Sequence, residues 1–263
     1  MKPRPKTLQD CGAILLDVGG TLKIGREAVP SAPEFVRALK RKGTPYFILS
    51  NTTNVSAETL AKQLNSLGFR LAEDQVVTAN TTAISYLKKH DLTTVYVIGT
   101  NEQRSEYERH GISVTHEKAQ AVLVSLDYEL SYADLTVADV LLRRGASFIA
   151  TNTDTHTVTP EGLLPDVGGT IGFLTATTGL TPVVTGKPSQ LMLDHIRDLV
   201  DLPTNQMAII GDNLDIDMKM AYDNGMVSVL VLSGKTTRED LISSEYQPDY
   251  IVESVENLIP LFS

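Results

Sequence analysis

The sequence predicts an α/β protein built on a doubly wound parallel sheet, with an α+β domain inserted into the chain. Short β-branched, apolar runs alternate with amphipathic stretches at both ends of the sequence, which is the pattern of βαβ units. Polar clusters follow four of these runs. The length of 263 residues is also sufficient for two modest domains.

The elements are predicted in the following order. In the first segment we expect strands over residues 12–18 and 46–50 and helices over 32–42 and 57–67. The last segment contains strands over 207–210, 227–232 and 248–252 and a helix over 216–224. In the middle we expect strands over 95–99, 121–126 and 147–150, a helix over 132–144 and a turn-rich stretch over 151–169. We therefore assign residues 1–79 and 183–263 to the core domain and residues 80–182 to the inserted domain.

Composition excludes several classes of protein. Asp and Glu number 32 against 23 Lys and Arg, and the resulting charge of -9 opposes binding to nucleic acid. A membrane helix needs about 20 consecutive apolar residues, and no stretch of the sequence approaches that, so we expect no membrane partner. The single cysteine, Cys11, cannot form an internal disulfide, which favours a reducing, cytoplasmic location.

The first two polar clusters follow the strands of the first segment. Asp17 ends an apolar run and precedes Gly19, Gly20 and Thr21, which places a carboxylate at the carboxyl end of a strand, where ligands bind in open α/β sheets. As an alternative, Asp17 is a turn or cap residue. The run 50–54 of hydroxyl and amide side chains can hydrogen-bond phosphate oxygens, or it can cap the next helix.

The other two clusters lie in the second half of the chain. Lys187 follows the short apolar run 182–184, and its charge could neutralise a phosphoryl group, although most lysines are solvated on the surface. Asp212, Asp215 and Asp217 follow another strand. Hard oxygen ligands in this arrangement suit Mg²⁺, whereas an acidic helix N-terminus is the alternative for Asp215 or Asp217.

These four clusters, in this order, resemble the motifs of the haloacid dehalogenase-like hydrolase superfamily, and most closely its NagD-like group. The matching residues are Asp17-Val18-Gly19-Gly20-Thr21-Leu22, Ser50-Asn51, Gly186-Lys187-Pro188 and Gly211-Asp212 through Asp217. The resemblance covers nearly the whole chain. It implies a Rossmann-like core with a C2-type α+β cap, Mg²⁺ as cofactor, a small phosphorylated substrate and, as among relatives, a homodimer.

The resemblance also implies a role for each matching residue. Asp17 is the nucleophile that forms an aspartyl-phosphate, Ser50 hydrogen-bonds the phosphoryl group and Lys187 balances charge. Mg²⁺ is held by Asp17, the backbone carbonyl of Gly19, Asp212 and Asp217. Substrate-binding positions are Gly20, Thr21, Asn51, Thr52 and, in the cap, Asn152 and Asp154.

One residue departs from the family pattern. Gly19 stands where the family has the aspartate that protonates the leaving group and activates water. Loss of such an acid/base lowers the rate roughly 10²–10⁴-fold for poor leaving groups. We therefore expect a phosphatase of weak activity, or one restricted to good leaving groups such as aryl or acyl phosphates.

Two other functions compete with this interpretation. A chain that retains the phosphate and Mg²⁺ site could serve as a catalytically impaired binding or regulatory protein. The run Asp17 to Thr21 also resembles the first phosphate loop of sugar kinases of the actin-like ATPase fold, but that resemblance accounts for neither Asp212 nor Lys187.

Overall fold

The computed structural model describes residues 4–159 and 162–263, which form two compact units. The first unit comprises Met1–Ser50, Ala57–Val77 and Leu193–Ser263, and the second comprises Asn51–Ser56 and Thr78–Met192. The strands are β1 Ala13–Asp17, β2 Lys23–Ile24, β3 Glu27–Ala28, β4 Tyr46–Ser50, β5 Val76–Thr78, β6 Thr94–Ile98, β7 Ser113–Val114, β8 Ala121–Val124, β9 Ser147–Ala150, β10 His156–Thr159, β11 Gly162–Pro165, β12 Val183–Val184, β13 Met207–Gly211, β14 Val227–Val231 and β15 Tyr250–Val252. The α-helices are α1 Ala32–Lys42, α2 Ala57–Ser66, α3 Ala79–Lys89, α4 Asn101–Arg109, α5 Tyr132–Arg143, α6 Val167–Thr178, α7 Gln190–Val200, α8 Lys219–Asn224 and α9 Asp240–Ser243. A π-helical turn covers Leu214–Met218.

The first unit is built on a sheet with the strand order β15-β14-β13-β1-β4-β5. Pairing is parallel from β15 through β4, and the register aligns Leu16 with Ile210 and Asp17 with Leu49. Strand β4 pairs with one edge of β1, and β13 pairs with the opposite edge. The first half of the chain therefore extends the sheet in one direction from β1, and the last part extends it in the other. The predicted doubly wound parallel sheet is confirmed, and its carboxyl ends at β1 and β13 lie at the switch point where such folds bind ligands.

Hydrophobic burial explains why these strands lie at the centre of the sheet. Every residue of β1, β13 and β14 is buried, as expected for parallel strands covered on both faces. The predicted helix over residues 32–42 is confirmed as α1, which buries Phe35, Val36 and Leu39 along one face. None of the helices within the described residues is both long and apolar enough to traverse a bilayer.

The second unit contains a sheet with the order β12-β9-β8-β6-β7, and all of its pairs are parallel. A separate antiparallel hairpin is formed by β10 and β11. The hairpin fits the α+β description predicted for this segment, whereas the larger sheet has the alternating βα order of an α/β unit. Strand β12 pairs with β9 of this sheet, although residues from 183 onward are predicted to belong to the core domain.

Two details differ from the sequence prediction. Helix α6 begins at Val167, inside the stretch 151–169 expected to be turn-rich, because Asp166 caps it by accepting the N–H of Val167 at 2.7 Å and Val167 and Leu174 are buried in the core of the second unit. The sequence also predicts a helix over 189–199 with Pro188 suited to its first turn. Helix α7 begins at Gln190 instead, so Pro188 precedes the helix. The peptide bond between Lys187 and Pro188 is cis.

A charged network ties the N-terminal segment to β14 and β15. Asp249 accepts hydrogen bonds from Arg4 at 3.0 Å and from the N–H and hydroxyl of Ser228 at 2.8 and 2.9 Å. Burial alone would raise the pKa of Asp249, but the hydrogen bonds from Arg4 and Ser228 outweigh it and hold the pKa below the usual 3.8. A lowered pKa in the folded state stabilises the protein above pH 3.8, and this contribution is lost as the pH falls below that value.

We therefore expect Asp249→Asn to lower the free energy of unfolding by about 1 kcal/mol at neutral pH and by less in acid, because protonation removes the same charge from the wild type. Urea unfolding of both proteins between neutral and acidic pH measures the difference. Asp223→Asn is the control, since Asp223 forms only a solvent-exposed pair with Lys219, whose loss should hardly change stability. A pH-independent effect of Asp249→Asn would contradict the assignment.

Candidate functional site

Among the described residues, Asp17, Asp212 and Asp217 form a carboxylate cluster in the first unit. One carboxylate oxygen from each residue lies within 4.8 Å of the others. Asp17 and Asp212 are each 9% exposed, and Asp217 is 1% exposed. Asp17 ends β1 and Asp212 follows β13, so the paired strands bring two of these side chains together. Buried like charges repel strongly unless a cation or a proton offsets them, so this arrangement favours a bound cation.

The Asp212 carboxylate fits beside two glycines, Gly20 and Gly234, because neither has a side chain. A Cβ on Gly20 would lie 2.2 Å from Oδ2 of Asp212, and one on Gly234 would lie 2.0 Å from the same atom. Gly20 also has a φ of +69°, which disfavours any side chain. The N–H of Lys235 donates to Oδ2 of Asp212 at 2.6 Å, and the hydroxyl of Ser233 donates to the carbonyl of Gly20 at 2.6 Å. The loop after β14 therefore fixes the Asp212 carboxylate.

A third glycine and the π-helical turn position Asp217. The turn Leu214–Met218 follows β13 and carries Asp217 back toward Gly211, where a Cβ would lie 2.4 Å from the Asp217 carboxylate carbon. The N–H of Asn213 donates to Oδ2 of Asp217 at 3.3 Å. Single π-turns of this kind occur frequently at functional sites. Asp215 is exposed and lies outside the cluster. It fits the alternative of an acidic residue in the first turn of a helix, here the π-helical turn.

Gly19, Thr21 and Ser50 lie in the same unit. Gly19 is exposed, and a Cβ built on it would meet no atom within 4 Å. Ser50 ends β4, the strand beside β1, and is 3% exposed. The Thr21 side chain is fully buried, and its hydroxyl makes no hydrogen bond to any part of the chain that the structure describes. A buried hydroxyl of this kind can serve a bound group.

Within the second unit, the structure brings Asn51 and Lys187 together. The N–H of Lys187 donates to Oδ1 of Asn51 at 2.7 Å, and Nδ2 of Asn51 donates to the Lys187 carbonyl at 3.0 Å. Lys187 is only 5% exposed, which excludes the alternative of a solvated surface lysine. The two residues are far apart in sequence, and nothing in the sequence indicates this pair of hydrogen bonds.

The remaining predicted substrate residues also lie in the second unit. Asn152 is buried, and its Oδ1 accepts the N–H of Asp154 at 3.0 Å, which forms a tight turn after β9. The Asp154 carbonyl accepts the N–H of Gly168 near the start of α6. Thr52 is half-buried in the segment Asn51–Ser56.

A buried polar network that sequence reasoning missed supports this part of the second unit. Asn80 donates to the carbonyl of Thr53 at 3.2 Å, and Gln103 donates to Asn80 at 3.4 Å and to Ser125. Thr151 continues the network to Ser125 at 3.3 Å. Each side chain is nearly inaccessible to solvent. Because these polar residues lie on two different helices and in three separate loops, no sequence motif could have identified the network.

The second unit also contains a cavity of about 220 Å³ near the start of α6. Apolar Leu126 and Phe173 line it together with the carboxylates of Asp127 and Asp166. Burial raises the pKa of Asp166, and the charge of Asp154 contributes in the same direction. Asp127 pairs with Arg104 at 3.7 Å.

Comparisons with known proteins agree with one another over most of the chain. Residues 14–113 match the family model described as haloacid dehalogenase-like hydrolase, and residues 184–258 match one described as HAD-hydrolase-like. The 5'-nucleotidase YutF of Bacillus subtilis is 32% identical over 94% of this chain and 96% of its own. A 4-nitrophenylphosphatase from Thermotoga maritima aligns with a TM-score of 0.91 and 31% identity over 97% of this chain and 99% of its own. NagD from Escherichia coli K-12 aligns with a TM-score of 0.86 and 26% identity over 93% and 97%.

The two adjacent glycines provide a direct test of the site geometry. Gly20→Ala would force a methyl group onto the Asp212 carboxylate at a positive φ, so we expect it to lower the free energy of unfolding by more than about 1 kcal/mol. Gly19→Ala is the matched control, because its methyl group would meet open space and should change stability by less than about 1 kcal/mol. Urea unfolding measures both variants, and equal stabilities would refute the geometry.

Proposed function

The chain belongs to the haloacid dehalogenase-like hydrolases, and on this basis we propose that it is a phosphoric monoester hydrolase acting through an aspartyl-phosphate on Asp17. The carboxylate cluster at the carboxyl ends of β1 and β13 is the observation that carries the proposal. Membership of this family excludes the alternative of a kinase with the actin-like ATPase fold. The named relatives are a 5'-nucleotidase and a 4-nitrophenylphosphatase, which supports a small phosphorylated substrate.

The cluster has the chemistry of a Mg²⁺ site. Mg²⁺ binds carboxylate and carbonyl oxygens and usually retains several waters, so a few protein ligands are sufficient. We assign Asp17, Asp212 and the backbone carbonyl of Gly19 as ligands, with Asp217 as a further ligand or as the residue that orients the others. When bound, the ion offsets the charge of the carboxylates and of the transferring phosphoryl group.

In the first half of the reaction, a carboxylate oxygen of Asp17 attacks phosphorus. The new bond joins Asp17 to the phosphoryl group, while the bond from phosphorus to the leaving-group oxygen breaks. Ser50 donates a hydrogen bond to the phosphoryl oxygens, and Lys187 balances their charge, which is how proteins catalyse such transfers. We assign Gly20, Thr21 and Thr52 to substrate binding, and the buried hydroxyl of Thr21 supports its part in this set. Asn51, the fourth core residue of the predicted substrate-binding set, instead hydrogen-bonds the backbone of Lys187.

In the second half, water attacks phosphorus, the bond to Asp17 breaks, and phosphate leaves with Asp17 restored. For an alkyl phosphate, the leaving group gains one proton over both halves and the water loses one. For a carboxylate or acidic phenolate, the leaving group departs as the anion, and the proton of the water passes to phosphate or solvent. Gly19 cannot transfer either proton. The reaction is therefore fastest for leaving groups that depart without protonation, such as carboxylates and acidic phenolates.

The choice of substrate falls to the second unit in this proposal. We assign Asn152 and Asp154 to the recognition of the leaving group, and their turn lies beside the start of α6. The neighbouring carboxylate of Asp166, whose pKa is raised by burial, lines the cavity in this unit.

Asp17→Asn should abolish the release of phosphate from p-nitrophenyl phosphate and acetyl phosphate, because a neutral amide cannot form the aspartyl-phosphate. We expect a loss on the order of 10³-fold or more, and a similar loss when a chelator removes Mg²⁺ from the wild type. A phosphate-release assay with each substrate measures both effects.

Asp215→Asn is the matched control, because Asp215 lies in the same acidic run but outside the carboxylate cluster. This variant should retain wild-type turnover. Mg²⁺-dependent phosphate binding without turnover in the wild type would instead identify a catalytically impaired binding or regulatory protein.

Gly19→Asp should raise the hydrolysis of alkyl phosphates by roughly 10²-fold or more, since it supplies the missing acid/base. The open space at Gly19 accommodates the side chain. Hydrolysis of acetyl phosphate, whose leaving group is a carboxylate, should change much less. Gly19→Asn is the matched control, because the amide has the same shape but cannot transfer the proton. Equal gains in both variants would show that Gly19 does not limit proton transfer.

A further inference from the structure

One amide side chain holds both backbone polar groups of Lys187. Oδ1 of Asn51 accepts the Lys187 N–H at 2.7 Å, while Nδ2 of Asn51 donates to the Lys187 carbonyl at 3.0 Å. An Asn or Gln side chain carries an amide donor and a carbonyl acceptor side by side, whereas a carboxylate has no donor. Asn51 is one of the predicted substrate-binding residues, but its amide hydrogen-bonds the backbone of Lys187.

Thr185 and Gly186, the two residues before Lys187, are also held by hydrogen bonds and close packing. The hydroxyl of Thr185 donates to the Ala79 carbonyl at 2.9 Å, and its N–H donates to the Ala150 carbonyl at 2.9 Å. A Cβ on Gly186 would lie 2.3 Å from the Thr151 carbonyl oxygen and 2.7 Å from Oδ1 of Asn51. The segment 185–187 is therefore packed without room for a side chain at its centre.

We propose that Asn51 is a positioning residue that fixes the backbone of Lys187 and thereby the point from which the Lys187 ammonium group extends. The inference rests on the proposed function, in which Lys187 balances phosphoryl charge. A lysine side chain has four carbons and many rotamers, so a displaced backbone would displace its ammonium group as well. Misplacement of a reacting group by about 1 Å can lower the rate about 10²-fold.

The chain offers a matched control for this contact. Oδ1 of Asn65 accepts the Leu71 N–H at 2.8 Å, and Nδ2 of Asn65 donates to the Leu71 carbonyl at 2.9 Å. Asn65→Ala therefore removes the same pair of hydrogen bonds as Asn51→Ala. Neither Asn65 nor Leu71 has a part in the proposed reaction, so loss of stability alone should affect the two variants similarly.

The experiment is a double-mutant cycle on kcat/KM for acetyl phosphate, with Asn51→Ala, Lys187→Ala and the double variant in the full chain with Mg²⁺. Asn51→Ala should lower kcat/KM by 10- to 100-fold in the wild-type background and should have no further effect once Lys187 is alanine. Asn65→Ala should leave kcat/KM unchanged. An undiminished effect of Asn51→Ala in the Lys187→Ala background would overturn the proposal, because Asn51 would then act on the substrate directly.

A second measurement tests the contact without relying on activity. Hydrogen exchange at the Lys187 amide, followed by NMR, should accelerate in Asn51→Ala and not in Asn65→Ala. Asn51→Asp should restore much of the protection, since its carboxylate still accepts the Lys187 N–H. Unchanged exchange in Asn51→Ala would overturn the proposal. A wild type without turnover would refute the proposed function, whereas an active wild type with an additive cycle would refute the role of Asn51 alone.

Discussion

The constraint on which the first unit depends is the burial of three carboxylates within 4.8 Å of one another. If all three were ionised, each pair would repel by roughly 3 kcal/mol at an effective dielectric constant of about 20. Backbone hydrogen bonds offset part of this repulsion. The N–H of Lys235 donates to Asp212, and the N–H of Asn213 donates to Asp217. A divalent cation would offset far more of the repulsion between the carboxylates. A fold that retains such a cluster sacrifices stability at the place where charge is needed for chemistry.

The sheet and three glycines together make this cluster geometrically feasible. Parallel pairing of β1 with β13 places two acidic residues at neighbouring strand ends, and the π-helical turn returns the third. Gly20, Gly211 and Gly234 are required because a Cβ on any of them would overlap an atom of Asp212 or Asp217. Their role is thus steric. They give two carboxylates room to approach, and packing of the strands and of the loop after β14 holds them there.

The sequence predicted the central strands and the cluster because both depend on local patterns. A buried apolar run that ends in Asp is visible in the sequence, and the parallel order of the strands brings such ends together. Helix α6 was missed because its first residues include Gly168 and Gly169, which are typical of turns. The residues Asp166 to Thr170 also repeat Asp17 to Thr21. The first copy turns through Gly20 at a positive φ, whereas the second begins a helix that buries Val167 and Leu174. The same five residues adopt two conformations because tertiary packing decides between them. The contact of Asn51 with Lys187 was missed for the related reason that it joins residues distant in sequence.

Gly19 differs from the other glycines of the site in a way that bears on its chemistry. Its backbone lies outside the left-handed region, and a Cβ there would meet open space, so neither conformation nor packing requires glycine at this position. The fold would accept the aspartate that the family pattern has. The absence of a proton-transferring side chain is therefore not a consequence of how the site is built. In the proposed reaction, the rate therefore depends on the acidity of the leaving group, because no side chain at position 19 can protonate it.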